Sequence, residues 1–116
     1  MAPKIESYEF GRIVIDGREY RADVLVLPER VVADWWRLEG HNLAPEDLRD
    51  VVAAEPKILV VGTGAYGVMS VPGDTVTYLA GQGVKVEAYD TATAVRRYND
   101  LAAAGEAVAA ALHLTC

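Results

Sequence analysis

Four consecutive apolar residues, Ile-Leu-Val-Val at 58–61, lead directly into a glycine in the middle of the chain. Three of the four residues are β-branched, and the run does not alternate between apolar and polar positions. This pattern favours a strand that is buried on both faces, as in the middle of a parallel sheet covered by helices. It therefore predicts a central strand over residues 58–62.

A second pattern, near the N-terminus, predicts an antiparallel hairpin. Residues 13–15 read Ile-Val-Ile and are followed by Asp16-Gly17. This dipeptide favours a two-residue type I′ turn, because both turn positions need a positive φ. Apolar and polar residues then alternate until Pro28, so the second arm is a strand that is long or bent.

The second half of the chain predicts helices that alternate with strands. Proline and acidic residues at 45–47 favour a helix start, and Pro56 ends that helix. After the central strand we expect a helix from about residue 74 to 81, a strand over 84–88, a helix capped by Asp90 or Thr91, and a last helix that starts at Glu106. The fold class is therefore α/β: one domain over residues 1–116 with a mixed sheet, an N-terminal hairpin and a βαβα C-terminal half.

Composition excludes several classes of partner. The chain has 11 basic and 17 acidic residues, for a net charge of −6. We therefore expect neither nucleic acid nor an anionic membrane as a partner. The one cysteine, Cys116, cannot form a disulfide within the chain, and no segment has the ~20 apolar residues of a transmembrane helix. These features predict a cytoplasmic protein.

The glycines that follow the central strand spell G-x-G-x-x-G at Gly62, Gly64 and Gly67. A dinucleotide site needs this turn to open directly into a helix. Val68, Val71 and Pro72 are poor helix openers, so the motif favours a tight structural turn instead. An alternative is a nest of main-chain N–H groups that binds a small anion or ligand, with Thr63 in the loop and Thr91 at a helix N-terminus.

No residues form a catalytic or metal-binding pattern in the sequence. His41 and His113 are far apart in sequence and have no nearby cysteine or H-x-x-x-H spacing. A turn histidine with an ordinary hydrogen bond explains His41 better than a general base does. We therefore expect no metal and no cofactor, and the sequence favours a protein that is not an enzyme.

Trp35, Trp36 and Arg37 suggest an interaction surface, with His41 close by in sequence. Tryptophan and arginine are favoured at the centre of protein interfaces. Adjacent residues cannot share one face of a strand, so one indole is expected to enter the core and the other to be partly exposed. The alternative is that both rings cover the core.

Taken together, these segments resemble a known family of small domains of unknown function. This family includes the adipogenesis-associated Mth domain-containing protein and a mitochondrial complex I assembly factor. The matching stretches are Tyr8-Glu9-Phe10-Gly11, Ile15-Asp16-Gly17, Trp36-Arg37, Gly40-His41, Leu59-Val60-Val61-Gly62-Thr63-Gly64, Gly83-Val84-Lys85-Val86-Glu87, Thr91-Ala92-Thr93-Ala94, Tyr98-Asn99-Asp100-Leu101, Gly105-Glu106 and Ala110-Ala111-Leu112-His113.

The resemblance implies a compact three-layer α/β domain and no established catalytic activity. It supplies no catalytic residues. Two functional hypotheses follow. The first is a non-catalytic interaction or assembly-factor-type module, with an unidentified protein partner or a weak homo-oligomer, that uses Trp35, Trp36, Arg37 and His41. The alternative is a small-molecule or anion-binding protein, with an enzyme included in this class, whose pocket lies at residues 62–67 and Thr91.

Overall fold

A five-stranded mixed sheet forms the middle layer of the protein, which a computed structural model describes over residues 2–116. The strands are β1 (Ile5–Glu9), β2 (Arg12–Ile15), β3 (Arg18–Tyr20), β4 (Val24–Val26), β5 (Val31–Val32), β6 (Ile58–Gly62), β7 (Lys85–Tyr89) and β8 (Val108–Leu112). The helices are a 3₁₀ turn (Pro45–Leu48) that continues into α1 (Arg49–Ala54), then α2 (Gly73–Gly81) and α3 (Thr91–Ala103). The central sheet has the order β5-β4-β8-β6-β7.

The run of apolar residues at 58–61 forms β6, as the sequence predicts. This strand lies between β7 and β8 and runs parallel to both. Val60 packs into the core on one face of the sheet, whereas Leu59 and Val61 pack into the core on the other. Both faces of β6 are therefore covered, which explains why its sequence does not alternate.

The N-terminal hairpin is confirmed, and its second arm is bent. Strands β1, β2 and β3 form a separate antiparallel sheet. Asp16 and Gly17 in the turn between β2 and β3 have φ values of 48° and 79°, as a type I′ turn requires. The chain bends after β3 and enters the central sheet as β4, so the alternating stretch before Pro28 serves two sheets.

The central sheet separates two hydrophobic cores, which makes three layers. On one face it packs against α3 and the small sheet, around the fully buried Tyr98, whose hydroxyl donates to the Pro3 carbonyl at 2.6 Å. On the other face it packs against α1, α2 and the 3₁₀ turn, around Leu43 and Leu79. The compact three-layer α/β layout is therefore confirmed.

The prediction of a last helix from Glu106 is wrong. Residues 108–112 form β8, which is fully buried. This strand runs parallel to β6 and antiparallel to β4. The sequence of this segment is Val-Ala-Ala-Ala-Leu, and alanine has the highest helix propensity of the amino acids. At this position tertiary packing outweighs helix propensity, because small side chains fit a central strand that is covered on both faces.

The other helix starts agree with the sequence. The Asp90 side chain caps α3, with its Oδ2 accepting a hydrogen bond from the Thr93 N–H at 3.1 Å. Helix α2 begins at Gly73, directly after Pro72, and Pro45 begins the 3₁₀ turn. Among the helices of residues 2–116, none is both long enough and apolar enough to cross a membrane.

Candidate functional site

The glycine loop leaves β6 as a tight turn and does not open into a helix. The next helix, α2, begins at Gly73, which is eleven residues after Gly62. A Cβ on Gly62 would lie 2.9 Å from Thr91 Oγ1 and 3.0 Å from Leu112 Cδ2. Gly62 is therefore needed for the close contact between β6 and the start of α3, which is a structural role.

The N–H groups of this loop donate to oxygens of the protein itself. Gly64 N–H donates to Thr91 Oγ1 at 2.9 Å, and Ala65 N–H donates to the Thr115 carbonyl at 2.6 Å. Val68 N–H donates to the main-chain oxygen of Cys116 at 3.1 Å. These three N–H groups, which an anion-binding nest could offer, are thus occupied by the C-terminal segment and by α3.

Thr91 joins three elements through one buried hydroxyl. Its Oγ1 donates to the His113 carbonyl at 2.6 Å and accepts from Gly64 N–H, while its own N–H donates to the Gly64 carbonyl at 3.0 Å. The structure therefore brings the candidate ligand residues Gly62, Thr63, Gly64, Gly67 and Thr91 into one region. Within that region, the contacts of Thr91 hold the loop against α3 and β8.

A buried ionic cluster, which the sequence did not indicate, lies next to this region. Arg37 Nη1 and His113 Nδ1 each lie 2.8 Å from Asp23 Oδ2. The other Asp23 oxygen accepts from the Leu114 N–H at 2.8 Å. Burial alone raises the pKa of the Asp23 carboxyl, but its hydrogen bonds and ionic contacts outweigh that effect and hold the pKa below its ordinary value.

His113 is oriented by this carboxylate. Its Nδ1 atom lies 2.8 Å from Asp23 Oδ2 and 3.2 Å from Arg37 Nη2, so the ring is held by both the carboxylate and the guanidinium. The Nε2 atom is buried and has no hydrogen-bond partner within residues 2–116. The His41 ring contacts the His113 ring edge-on at 5.5 Å, and Cys116 Sγ lies 4.0 Å from His41 Nε2. No three His, Cys, Asp or Glu side chains of the described residues are placed to share a metal ion.

The residues proposed as an interaction surface point in opposite directions. Trp35 is only 8% exposed, and its Nε1–H donates to the Asp47 carbonyl at 2.9 Å. Arg37 is buried too, with its guanidinium over the Trp35 ring at 4.8 Å and donating to the Gly40 carbonyl. Trp36, in contrast, is 77% exposed, and His41 is also exposed.

An open groove of about 490 Å³ lies beside Trp36. Leu38, which is 61% exposed, lies on the same groove, together with the buried Trp35 and the half-buried Val32. The remaining side chains that line it are Asp34, Glu46, Asp47, Arg49 and Asp50. These residues, with Trp35, Trp36, Leu38 and Val32, are called the Trp36 groove below.

Sequence reasoning missed the cluster that Asp23 forms with Arg37 and His113, and it missed the acidic side of the Trp36 groove. Asp23 occupies a polar position of an alternating stretch, where a charged residue is expected to face solvent. No local pattern connects it to Arg37 or to His113. A pattern could have pointed to the acidic side, because four of the residues at 46–50 are charged and three of those are acidic.

Several solved structures share this fold over nearly the whole chain. A protein from Bordetella parapertussis is 30% identical, with a TM-score of 0.83 and coverage of 97% of this chain and 96% of that one. A conserved hypothetical protein from Pyrococcus horikoshii is 28% identical, with a TM-score of 0.84 and coverage of 97% and 99%. A Bordetella pertussis protein described as a Mth938-like domain is 25% identical, with a TM-score of 0.70 and coverage of 97% and 85%.

A family model agrees with these structural matches. It matches residues 5–113, which is most of the chain, and is described as a protein of unknown function, DUF498/DUF598. The resemblance to a family of small domains of unknown function with a Mth938-like fold is therefore confirmed. This chain belongs to the DUF498/DUF598 family.

Proposed function

We propose that this protein is a non-catalytic protein-interaction module of the assembly-factor type, and that the Trp36 groove is its binding surface. The observation that carries this proposal is the 77% exposure of the Trp36 ring beside the exposed Leu38. Tryptophan buries on the order of 150–250 Å² when it enters an interface, and it is among the residues most often found at energetic hot spots.

The surrounding residues support a preformed surface. Trp35 is held by its hydrogen bond to Asp47 and by the Arg37 guanidinium that lies over its ring. The main chain on either side of Trp36 is therefore fixed by buried neighbours. A partner that covers Trp36 would lose little conformational entropy from this side of the interface.

The alternative, a small-molecule or anion-binding protein with its pocket at residues 62–67 and Thr91, has weaker support. Its main-chain donors already bind oxygens of Thr91, Thr115 and Cys116. A ligand would have to displace these bonds.

The experiment compares the Trp36→Ala variant with the Tyr66→Ala variant as immobilised baits. Tyr66 is a matched control, because it is also 77% exposed and does not line the groove. Wild type and Tyr66→Ala are expected to capture the same partner, and Trp36→Ala is expected to lose it while keeping the wild-type Tm. Light scattering on the three proteins tests self-association in the same way. The proposal would be refuted if all three proteins captured the same partners and had the same molar mass by light scattering.

A further inference from the structure

We propose that the Trp36 groove binds a basic amphipathic segment of a protein partner, one that carries apolar side chains on one face and Lys or Arg on its flanks. This proposal rests on the interaction function proposed above and specifies the chemistry of the partner.

The lining of the groove is acidic. Of its side chains in the described part of the chain, four are carboxylates and one is a guanidinium, which gives a net charge of −3. A second open groove adjoins the first at Asp50 and adds Glu29 and Arg30, whose charges cancel. The net charge of the continuous surface is thus still −3. Opposite charges on a partner would be attracted to it, and like charges would be repelled.

Three of the four carboxylates are available to a partner. Asp47 is not, because its Oδ1 accepts from the Leu38 N–H and its Oδ2 from the Ala44 N–H. Asp50 lies 3.8 Å from Arg30, and both side chains are more than half exposed, so this contact is weak. Asp34 and Glu46 form no side-chain hydrogen bond or ion pair with any of residues 2–116 and are exposed.

The apolar part of the surface requires more than a basic tail. Trp36 and Leu38 are exposed next to these carboxylates, and a segment made only of Lys and Arg would leave both uncovered. An amphipathic segment satisfies both parts, because its apolar side chains cover Trp36 and Leu38 while its basic side chains reach the carboxylates.

The sheet edge next to the groove favours recognition by side chains. Strand β5 is the edge strand on this side of the sheet, and it is two residues long. So short an edge offers few main-chain hydrogen bonds to an added strand, which argues against β-augmentation. A helix that lies in the groove is the arrangement that uses the exposed side chains.

The test uses synthetic peptides as defined probes. A Leu/Lys peptide of about 18 residues, patterned as an amphipathic helix, is long enough to be helical when bound. A Leu/Glu peptide with the same pattern tests charge, and a Leu/Lys peptide of the same composition in scrambled order tests amphipathicity. Binding is measured by titration calorimetry at low and at high salt.

The variants separate the apolar from the electrostatic contribution. Trp36→Ala is expected to weaken binding of the patterned Leu/Lys peptide about tenfold or more. Asp34→Asn, Glu46→Gln and Asp50→Asn together are expected to weaken binding at low salt and to remove most of its salt dependence. The control combines Asp74→Asn, Asp100→Asn and Glu106→Gln, which removes three carboxylates outside the groove, and it is expected to bind as wild type does.

Each outcome supports or overturns the inference. Selective, salt-dependent binding of the patterned Leu/Lys peptide that depends on Trp36 supports it. Equal binding of the Leu/Glu peptide, or equal loss in the control triple variant, overturns it. If the bait experiment shows a partner that needs Trp36 while the peptides bind without discrimination, the partner class is wrong and the interaction function stands. If neither a captured protein nor any peptide depends on Trp36, both proposals fail.

Discussion

Replacing Gly64 by alanine tests whether the glycine loop has a structural role. Gly64 has a φ of +108°, a conformation that residues with a Cβ rarely adopt. A Cβ built on it would also lie 2.5 Å from the carbonyl carbon of Cys116 and 2.9 Å from the Thr115 carbonyl oxygen. The atoms in the way are main chain, so the C-terminal segment itself must move.

The expected loss of stability has two parts. The backbone strain costs about 1–3 kcal/mol. Moving the C-terminal segment breaks the bonds from Ala65 N–H to Thr115 and from Val68 N–H to Cys116, each worth about 1 kcal/mol. The sum is about 3–5 kcal/mol, a large share of the roughly 5–15 kcal/mol that stabilises a typical domain.

Two other glycines provide graded controls. Gly67 has a φ of +69°, but the nearest atom to its added Cβ, Thr63 Oγ1, is 3.7 Å away, so Gly67→Ala is expected to cost only the strain. Gly73, at the start of α2, has open space around it and no positive φ. Gly73→Ala is therefore expected to be neutral or to stabilise by about 0.5 kcal/mol.

The assay is urea denaturation of the four proteins, combined with amide hydrogen exchange at Ala65 and Val68. Gly64→Ala is expected to lose the most stability and to lose protection at both amides. A loss below about 1 kcal/mol with both amides still protected would show that the C-terminal segment is not packed on the loop as described.

Four further predictions follow from the contacts. Asp23→Asn leaves the buried Arg37 without its carboxylate, so it is expected to destabilise by about 3–5 kcal/mol in urea denaturation, and a loss under 1 kcal/mol would contradict the buried cluster. A hydrogen bond from Arg97 lowers the pKa of Glu87 from 4.5 to about 2, so its contribution is present above pH 4.5 and is lost as the pH falls towards 2. The difference in Tm between wild type and Glu87→Gln is therefore expected to shrink over that range, and a constant difference would refute the pairing. Ala110→Leu in β8 is expected to lower the free energy of unfolding by about 1–3 kcal/mol, because the larger side chain overpacks the core. A leucine introduced at an exposed helix position is expected to change that free energy by no more than about 0.5 kcal/mol. Millimolar phosphate or sulfate is expected to leave the Tm unchanged, and a saturable increase would favour a binding role for the glycine loop.

The sequence was most informative where a local pattern is compatible with only one local structure. The apolar run at 58–61 led to β6, Asp16-Gly17 led to a type I′ turn, and Asp90 led to the start of α3. The absence of a helix opener after Gly67 correctly separated this loop from dinucleotide-binding turns. Each of these inferences depends on residues within a few positions of one another.

The sequence was least informative where distant segments meet. The alanines of β8 read as a helix because propensity is local, whereas their place between β4 and β6 is set by packing across the sheet. Arg37 reads as a surface residue until Asp23 and His113, which lie far from it in sequence, surround its guanidinium. For the same reason, Trp35 and Trp36 could be told apart only by their surroundings.

The α/β class, the doubly buried strand and the turns can be read from local sequence, because hydrophobic periodicity and the φ requirements of glycine act within single elements. Three features become visible only in the folded chain: the glycine loop holds the C-terminal segment, a buried ionic cluster lies beside that loop, and Trp36 is exposed in a groove lined by acidic side chains. These features depend on long-range contacts, whose energies come from burial and charge pairing between residues that no local pattern links.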